Sequence, residues 1–109
     1  MTRLVSGTWH GHYVQRGMRV AQTVQLELAD GLIRGDGTDP LGPFTIDGEY
    51  RSEAGEVRMG WIKTYEGAHS ILYLGVLRGD ALAGEWSLGH GWDRGTFLLH
   101  APDQPTEPR

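Results

Sequence analysis

Apolar and polar residues alternate along most of this chain with a period of two, the mark of strands that bury one face. Eight such runs lie between turn residues, at about 6–15, 18–29, 31–37, 44–51, 56–66, 69–78, 81–88 and 94–100. No window sustains the 3.6-residue apolar spacing of an amphipathic helix. Ala29–Leu32, Ser52–Gly55 and Leu77–Asp80 are tight hairpins with a glycine available for positive φ. Gly37–Pro43 and Gly89–Asp93 are longer connections, richer in functional side chains. Direction alternates in a meander, so the three tight turns share one end and the longer connections share the other. The predicted fold is all-β, an eight-stranded antiparallel up-and-down barrel with a closed end and an open one. Such an interior is filled by side chains or holds one small ligand. The barrel spans residues 1–101, and 102–109, with three prolines, read as a disordered tail.

Parity assigns the inward faces. The second strand places Met18, Val20, Gln22, Val24, Leu26 and Leu28 together, opposite Arg19, Ala21, Thr23, Gln25 and Glu27. The same rule turns Trp9, Tyr13, Gln15, Phe44, Ile46 and Tyr50 inward. The fifth strand contributes Val57, Met59, Trp61, Lys63 and Tyr65; the last two contribute Leu82, Trp86, Leu88, Phe97 and Leu99. Gly7, Gly11, Gly35, Gly48, Gly75, Gly84 and Gly95 fall on inward positions, where they leave room or mark bends. The sixth strand is apolar on both faces. Aligning Gly75 with the other inward glycines puts His69, Ile71 and Tyr73 inside. Leu72, Leu74 and Val76 then form an outer stripe, joined by Ile62, and a contiguous exposed apolar stripe marks association.

Composition narrows the class. Seventeen glycines in 109 residues, against an average usage of about 7%, favour strands and turns over helices. Hydrophobic residues at 39% and charged residues at 22% are those of a globular chain. A net charge of −4 argues against nucleic acid and anionic membrane surfaces as partners. The absence of cysteine removes disulfides, thiol catalysis and Cys-ligated zinc. No signal peptide or long apolar run is visible, so a cytoplasmic location is expected.

Gly7-Thr8-Trp9 at the start of the first strand resembles the opening of avidin and streptavidin barrels, and more loosely the Gly-x-Trp opening of lipocalins. Gly60-Trp61-Ile62-Lys63-Thr64-Tyr65, followed by Ala68-His69-Ser70 and Gly75, is similar to the avidin-type hairpin of strands five and six. Glu85-Trp86-Ser87-Leu88-Gly89 resembles the strand that carries another biotin-contacting tryptophan. The resemblance implies a calycin-type barrel that associates through its walls. It does not imply biotin. Gly11 stands where the family has a polar partner for the ureido oxygen, and Tyr65 replaces the tryptophan lid. His69, Ile71 and Tyr73 replace the serine, threonine and tryptophan of the sixth strand. Trp86 and Leu88 stand unchanged.

The candidate ligand site comprises Tyr13, Gln15, Gln22, Phe44, Trp61, Lys63, Tyr65, His69, Tyr73, Trp86 and Leu88, with Asp36, Asp39, His90 and Trp92 on surrounding loops. Lys63 matters most, because an inward lysine is costly to bury unpaired. By parity Glu27, Asp47, Glu49, Glu66 and Glu85 all point outward. Lys63 is thus expected to anchor the acidic group of a partly apolar small molecule, unless it snorkels to the rim. No inward carboxylate pair, nucleophile elbow or phosphate loop is present, so catalysis is not expected. If there is a reaction, it is a cyclisation or isomerisation. No cofactor is called for. His10, His12 and His100 share the outer surface and read as solvated residues rather than a metal site. The rival reading is a structural or oligomerisation module with a packed interior, which a filled barrel would favour over ligand binding. Either way, Leu72, Leu74 and Val76 predict a homo-oligomer, most simply a two-fold dimer.

Overall fold

The period-two runs become eight strands in the computed structural model, which describes residues 4–89 and 93–102. They are β1 (Gly7–Gln15), β2 (Met18–Ala29), β3 (Leu32–Asp39), β4 (Gly42–Glu53), β5 (Glu56–Tyr65), β6 (Ser70–Arg78), β7 (Ala81–Leu88) and β8 (Arg94–His100). Each strand pairs antiparallel with the next, and β8 pairs with β1 to close the barrel. No described helix is long and apolar enough to cross a membrane.

Local turn chemistry fixes the register. Arg16-Gly17, Asp30-Gly31 and Ala54-Gly55 all take positive φ at both central positions, the geometry that matches the twist of hairpin strands. The connection expected over Gly37–Pro43 is much shorter than its composition suggests. β3 runs on to Asp39 and β4 starts at Gly42, leaving only Pro40-Leu41 between them. Pro40 lacks a ladder donor and suits the turn, the Asp39 carboxylate accepts the Leu41 N–H at 2.8 Å, and Gly42 takes φ 127°. The end expected to be open is therefore crossed by two tight hairpins. The longer connections there are 66–69 and 89–93; His90 and Trp92 lie outside the described residues, as does the tail from 103. At the other end the flanking segments cap the barrel. Trp9 donates its indole N–H to Val5 O at 3.0 Å, and Ala101 N–H donates to Asp80 O at 2.8 Å.

Inside, large and small residues face one another across the ladders. Gly48 pairs with Trp61, Gly37 with Phe44, Gly84 with Phe97 and Gly95 with Trp86. Each missing side chain makes space for an aromatic ring on the adjoining strand, which is how a narrow barrel takes in large rings. A Cβ at Gly84 would run into the Leu74 carbonyl and the Gly75 backbone on β6. Gly84→Ala is therefore expected to cost about 1–3 kcal/mol through overpacking, read as a lowered urea midpoint. Gly60→Ala, whose Cβ would come to 3.0 Å from the flexible tip of Leu74 and to ordinary contact, 3.7 Å, from the Tyr73 carbonyl, should leave that midpoint nearly unchanged.

Candidate functional site

The inward face of β5 carries Lys63 into the barrel, where 1% of its side chain is exposed. Its ammonium donates to the Asp39 carboxylate at 2.8 Å, to the Gln22 amide oxygen at 3.2 Å and to the Tyr73 hydroxyl at 3.4 Å. The rings of Phe44, Tyr13, Tyr65 and Tyr73 surround it, with centroids 4.2–5.4 Å away, close enough for cation–π attraction. Asp39 is equally enclosed. One of its oxygens takes the Lys63 ammonium and the Tyr65 hydroxyl at 2.6 Å; the other takes the Leu41 N–H. Its side chain has no exposed surface.

This arrangement corrects the premise for an anion anchor. Lys63 does have an inward carboxylate partner, and its three protons already have three acceptors, so none is left for an acidic ligand. Composition puts Asp39 on a loop, and the structure does not. As the last residue of β3 it shares the inward parity of Ile33, Gly35 and Gly37, and that parity is the signal that finds it once β3 is drawn long enough.

Tyr13, Gln22, Phe44, Trp61, Lys63, Tyr65, Tyr73 and Trp86 are all buried inside, as parity requires. They form a packed aromatic core: Trp61 stacks on Tyr73 at 5.4 Å and 11°, and Phe97 tilts against both. Trp86 donates its indole N–H to Val14 O at 3.0 Å. Gln15 and Leu88 are half-buried at the rim. Two residues assigned inward are exposed, and one of them, His69, still lines the mouth with its ring tilted against Tyr65 at 5.7 Å. His69 is exposed, because it belongs to the 66–69 turn before β6 begins and parity holds only within the ladder. Met18, the first residue of β2, stands above the rim and is 70% exposed. At the mouth, the described residues leave a recess of about 30 Å³ between Tyr13, Gln15, Leu41, Tyr65, Trp86 and Leu88, scarcely more than one water needs. The barrel interior is filled.

The outer wall is different. Leu72, Leu74 and Val76 on β6 point away from the core beside Ile62 on β5, and Leu74 is 56% exposed. With Gly60 and Ala83 they floor a shallow concavity of about 840 Å³ across β4–β7. Asp47, Glu49, Arg51 and Arg58 border it on one side, Glu85 and Arg94 on the other.

Burial sets the proton affinities of the core. It pushes Lys63 below the ordinary lysine value, with Asp39 pulling the other way. Burial, reinforced by the Asp39 charge, raises Tyr13, Tyr65 and Tyr73 above the ordinary 10.0. The unfolded chain ionises these tyrosines from about pH 10 while the barrel keeps them neutral, so their stabilising contribution is full below pH 10 and falls as pH rises further. Lys63 works in the opposite sense between its lowered value and 10.5, but it is one group against three. Above pH 10, tyrosinate absorbance from these residues should appear only together with loss of near-UV circular dichroism. Smooth ionisation of every tyrosine in a folded barrel would contradict the burial. In a second test, Lys63→Met leaves the Asp39 carboxylate buried without its cation and should cost about 3–5 kcal/mol at neutral pH. The double variant Lys63→Met/Asp39→Asn should recover part of that loss in the same urea titration.

The closed eight-stranded antiparallel barrel is consistent with a calycin-like architecture. No protein-family model, curated protein or solved structure matches the chain.

Proposed function

We propose that this protein is an interaction module: a rigid barrel with a packed interior that works through the outer wall of β4–β7. The observation that carries the reading is the contrast between the two faces of β6. Its inward residues Ile71, Tyr73 and Leu77 are already buried, yet its outward residues are also apolar and face open space. A solvated strand face is ordinarily polar, and a contiguous apolar patch rimmed by charge marks a contact surface. The buried ion pair fits the same reading, since it rigidifies the barrel and offers no free valence to a ligand. An avidin-type relation, suggested by Gly7-Thr8-Trp9 and the Gly60–Tyr65 stretch, also belongs here, because those barrels associate through their walls.

A second reading keeps a small-molecule site at the mouth. Its support is the Gln22 amide nitrogen beside Lys63, buried without a hydrogen-bond partner. Such a ligand would be neutral, because Lys63 is already paired, and would have to displace Leu41 from the recess.

An apolar fluorescent dye, anilinonaphthalene sulfonate, distinguishes a working wall from inert surface. Dilute protein should enhance its fluorescence, Leu74→Lys should abolish the enhancement, and Met18→Lys, on exposed apolar surface elsewhere, should not. Equal enhancement by Leu74→Lys and the unmodified chain would remove the wall as the contact surface.

A further inference from the structure

We propose that His10, His12 and His100 bind a late first-row divalent metal ion of the Zn²⁺ type, on the outside of the seam where β8 closes on β1. The carrying observation is the register of that seam. His10 and His100 are direct cross-strand partners, and both are exposed. Partners of this kind hold their Cβ atoms about 4.5–5.5 Å apart. His12 lies two residues along β1 on the same outward face, about 7 Å from His10 and about 7–8 Å from His100 on the diagonal. Three of the chain's five histidines thus meet at one spot. Alternation along single strands puts them on one surface; only the β1–β8 register makes them neighbours.

Neutral imidazole is the commonest metal ligand and suits zinc, copper and nickel. Two histidines alternating on one strand, with a third on the next, offer three nitrogens to a metal and leave a fourth position for water. The neighbouring positions leave room for it. In the row of His10 and His100, β7 contributes only Ala81, and β2 sets only Ala21 beside His12. The remaining neighbour is Thr23, the partner of His10 on β2, whose hydroxyl lies 3.4 Å from His10 Nδ1. The two nitrogens of an imidazole face opposite sides of the ring, so a Nδ1 turned to β2 directs Nε2 towards β8 and His100. A metal on Nε2 keeps the proton on Nδ1, which donates to Thr23, and such a partner orients a metal-bound ring. As the side chains stand, no three such groups converge on one point among the described residues. The exposed rings of His10 and His100 reach a common ion by turning between rotamers, and a net charge of −4 favours a cation.

The ion would act as a clip. β1 and β8 share four registered pairs, against seven to ten at every other junction. A metal held by both strands therefore reinforces the barrel at its shortest ladder. The unfolded chain keeps His10 and His12 together but not His100, so the complete site exists only in the closed barrel.

Titration of the metal-free full chain with Zn²⁺ alone, in a non-coordinating buffer, tests the proposal. Calorimetry should show one ion per chain. Thr23→Val should weaken binding about tenfold, the effect of losing an orienting partner, and Thr23→Ser should restore it. His10→Ala and His100→Ala should each cost more than that, while His69→Ala, at the mouth, should cost nothing. Each variant should keep the metal-free circular dichroism spectrum; should an alanine disturb the seam, His10→Gln and His100→Gln take its place. Because Zn²⁺ binds the folded state preferentially, it should raise the urea midpoint of the unmodified chain and not that of His100→Ala. No binding up to about 1 mM Zn²⁺, the edge of measurable affinity, would overturn the site, as would binding indifferent to His10→Ala and His100→Ala. Dependence on His10 and His12 alone would reduce it to a local chelate on β1 and overturn the bridge. Binding that leaves the urea midpoint unmoved would overturn the clip.

Discussion

A lysine and an aspartate, both withdrawn from water in the middle of a small barrel, constrain the interior around them. Neither charge is tolerable there alone, since the desolvation cost of an unpaired ion amounts to several kcal/mol. Asp39 must therefore sit within 2.8 Å of Lys63, which fixes β3 against β5 across the barrel. The same carboxylate takes the Tyr65 hydroxyl and the Leu41 N–H, so one side chain links the core to the hairpin that crosses the barrel's end. Tyr73, Gln22 and four aromatic rings then complete the shell around the ammonium. A pair so enclosed contributes less to net stability than its contacts suggest, because desolvation offsets much of the attraction. What it does impose is a single arrangement of the upper interior.

Glycine placement follows from the same shortage of space. Eight strands enclose room for little more than one layer of side chains, and this chain fills it with tryptophan, tyrosine and phenylalanine opposite glycine. The result is a scaffold with a spent interior. Its polar groups are largely paired, its apolar groups are packed, and the unsatisfied surface lies outside on β5 and β6.

Much of the fold is legible in the chain itself. Strict period two, frequent glycine and evenly spaced turns leave little alternative to a meander of eight strands; parity places Trp61, Lys63, Tyr65 and Trp86 inside, and the alignment of Gly75 with the other inward glycines adds Tyr73. Parity fails where the ladder stops. His69 lies one residue before β6 and is held at the mouth against Tyr65 rather than inside, and Met18 projects above the rim from the first position of β2. Residue type ends the third strand early, at Gly37, and starts the fourth late, at Phe44, because Asp, Pro and Gly in close succession look like a loop. In fact a two-residue turn uses all three.

That one boundary decided the chemistry. The sequence by itself determined the strand count and the inward cation, because each depends only on alternation along single strands, and the outer apolar stripe, once Gly75 is aligned with the inward glycines of the other strands. Only the tertiary structure decided that the cation is paired, since Lys63 and Asp39 come from β5 and β3, which share no ladder. Whether the interior is hollow was settled there too. Side-chain volume inside a closed barrel is a sum over all eight strands, and no local pattern reports it.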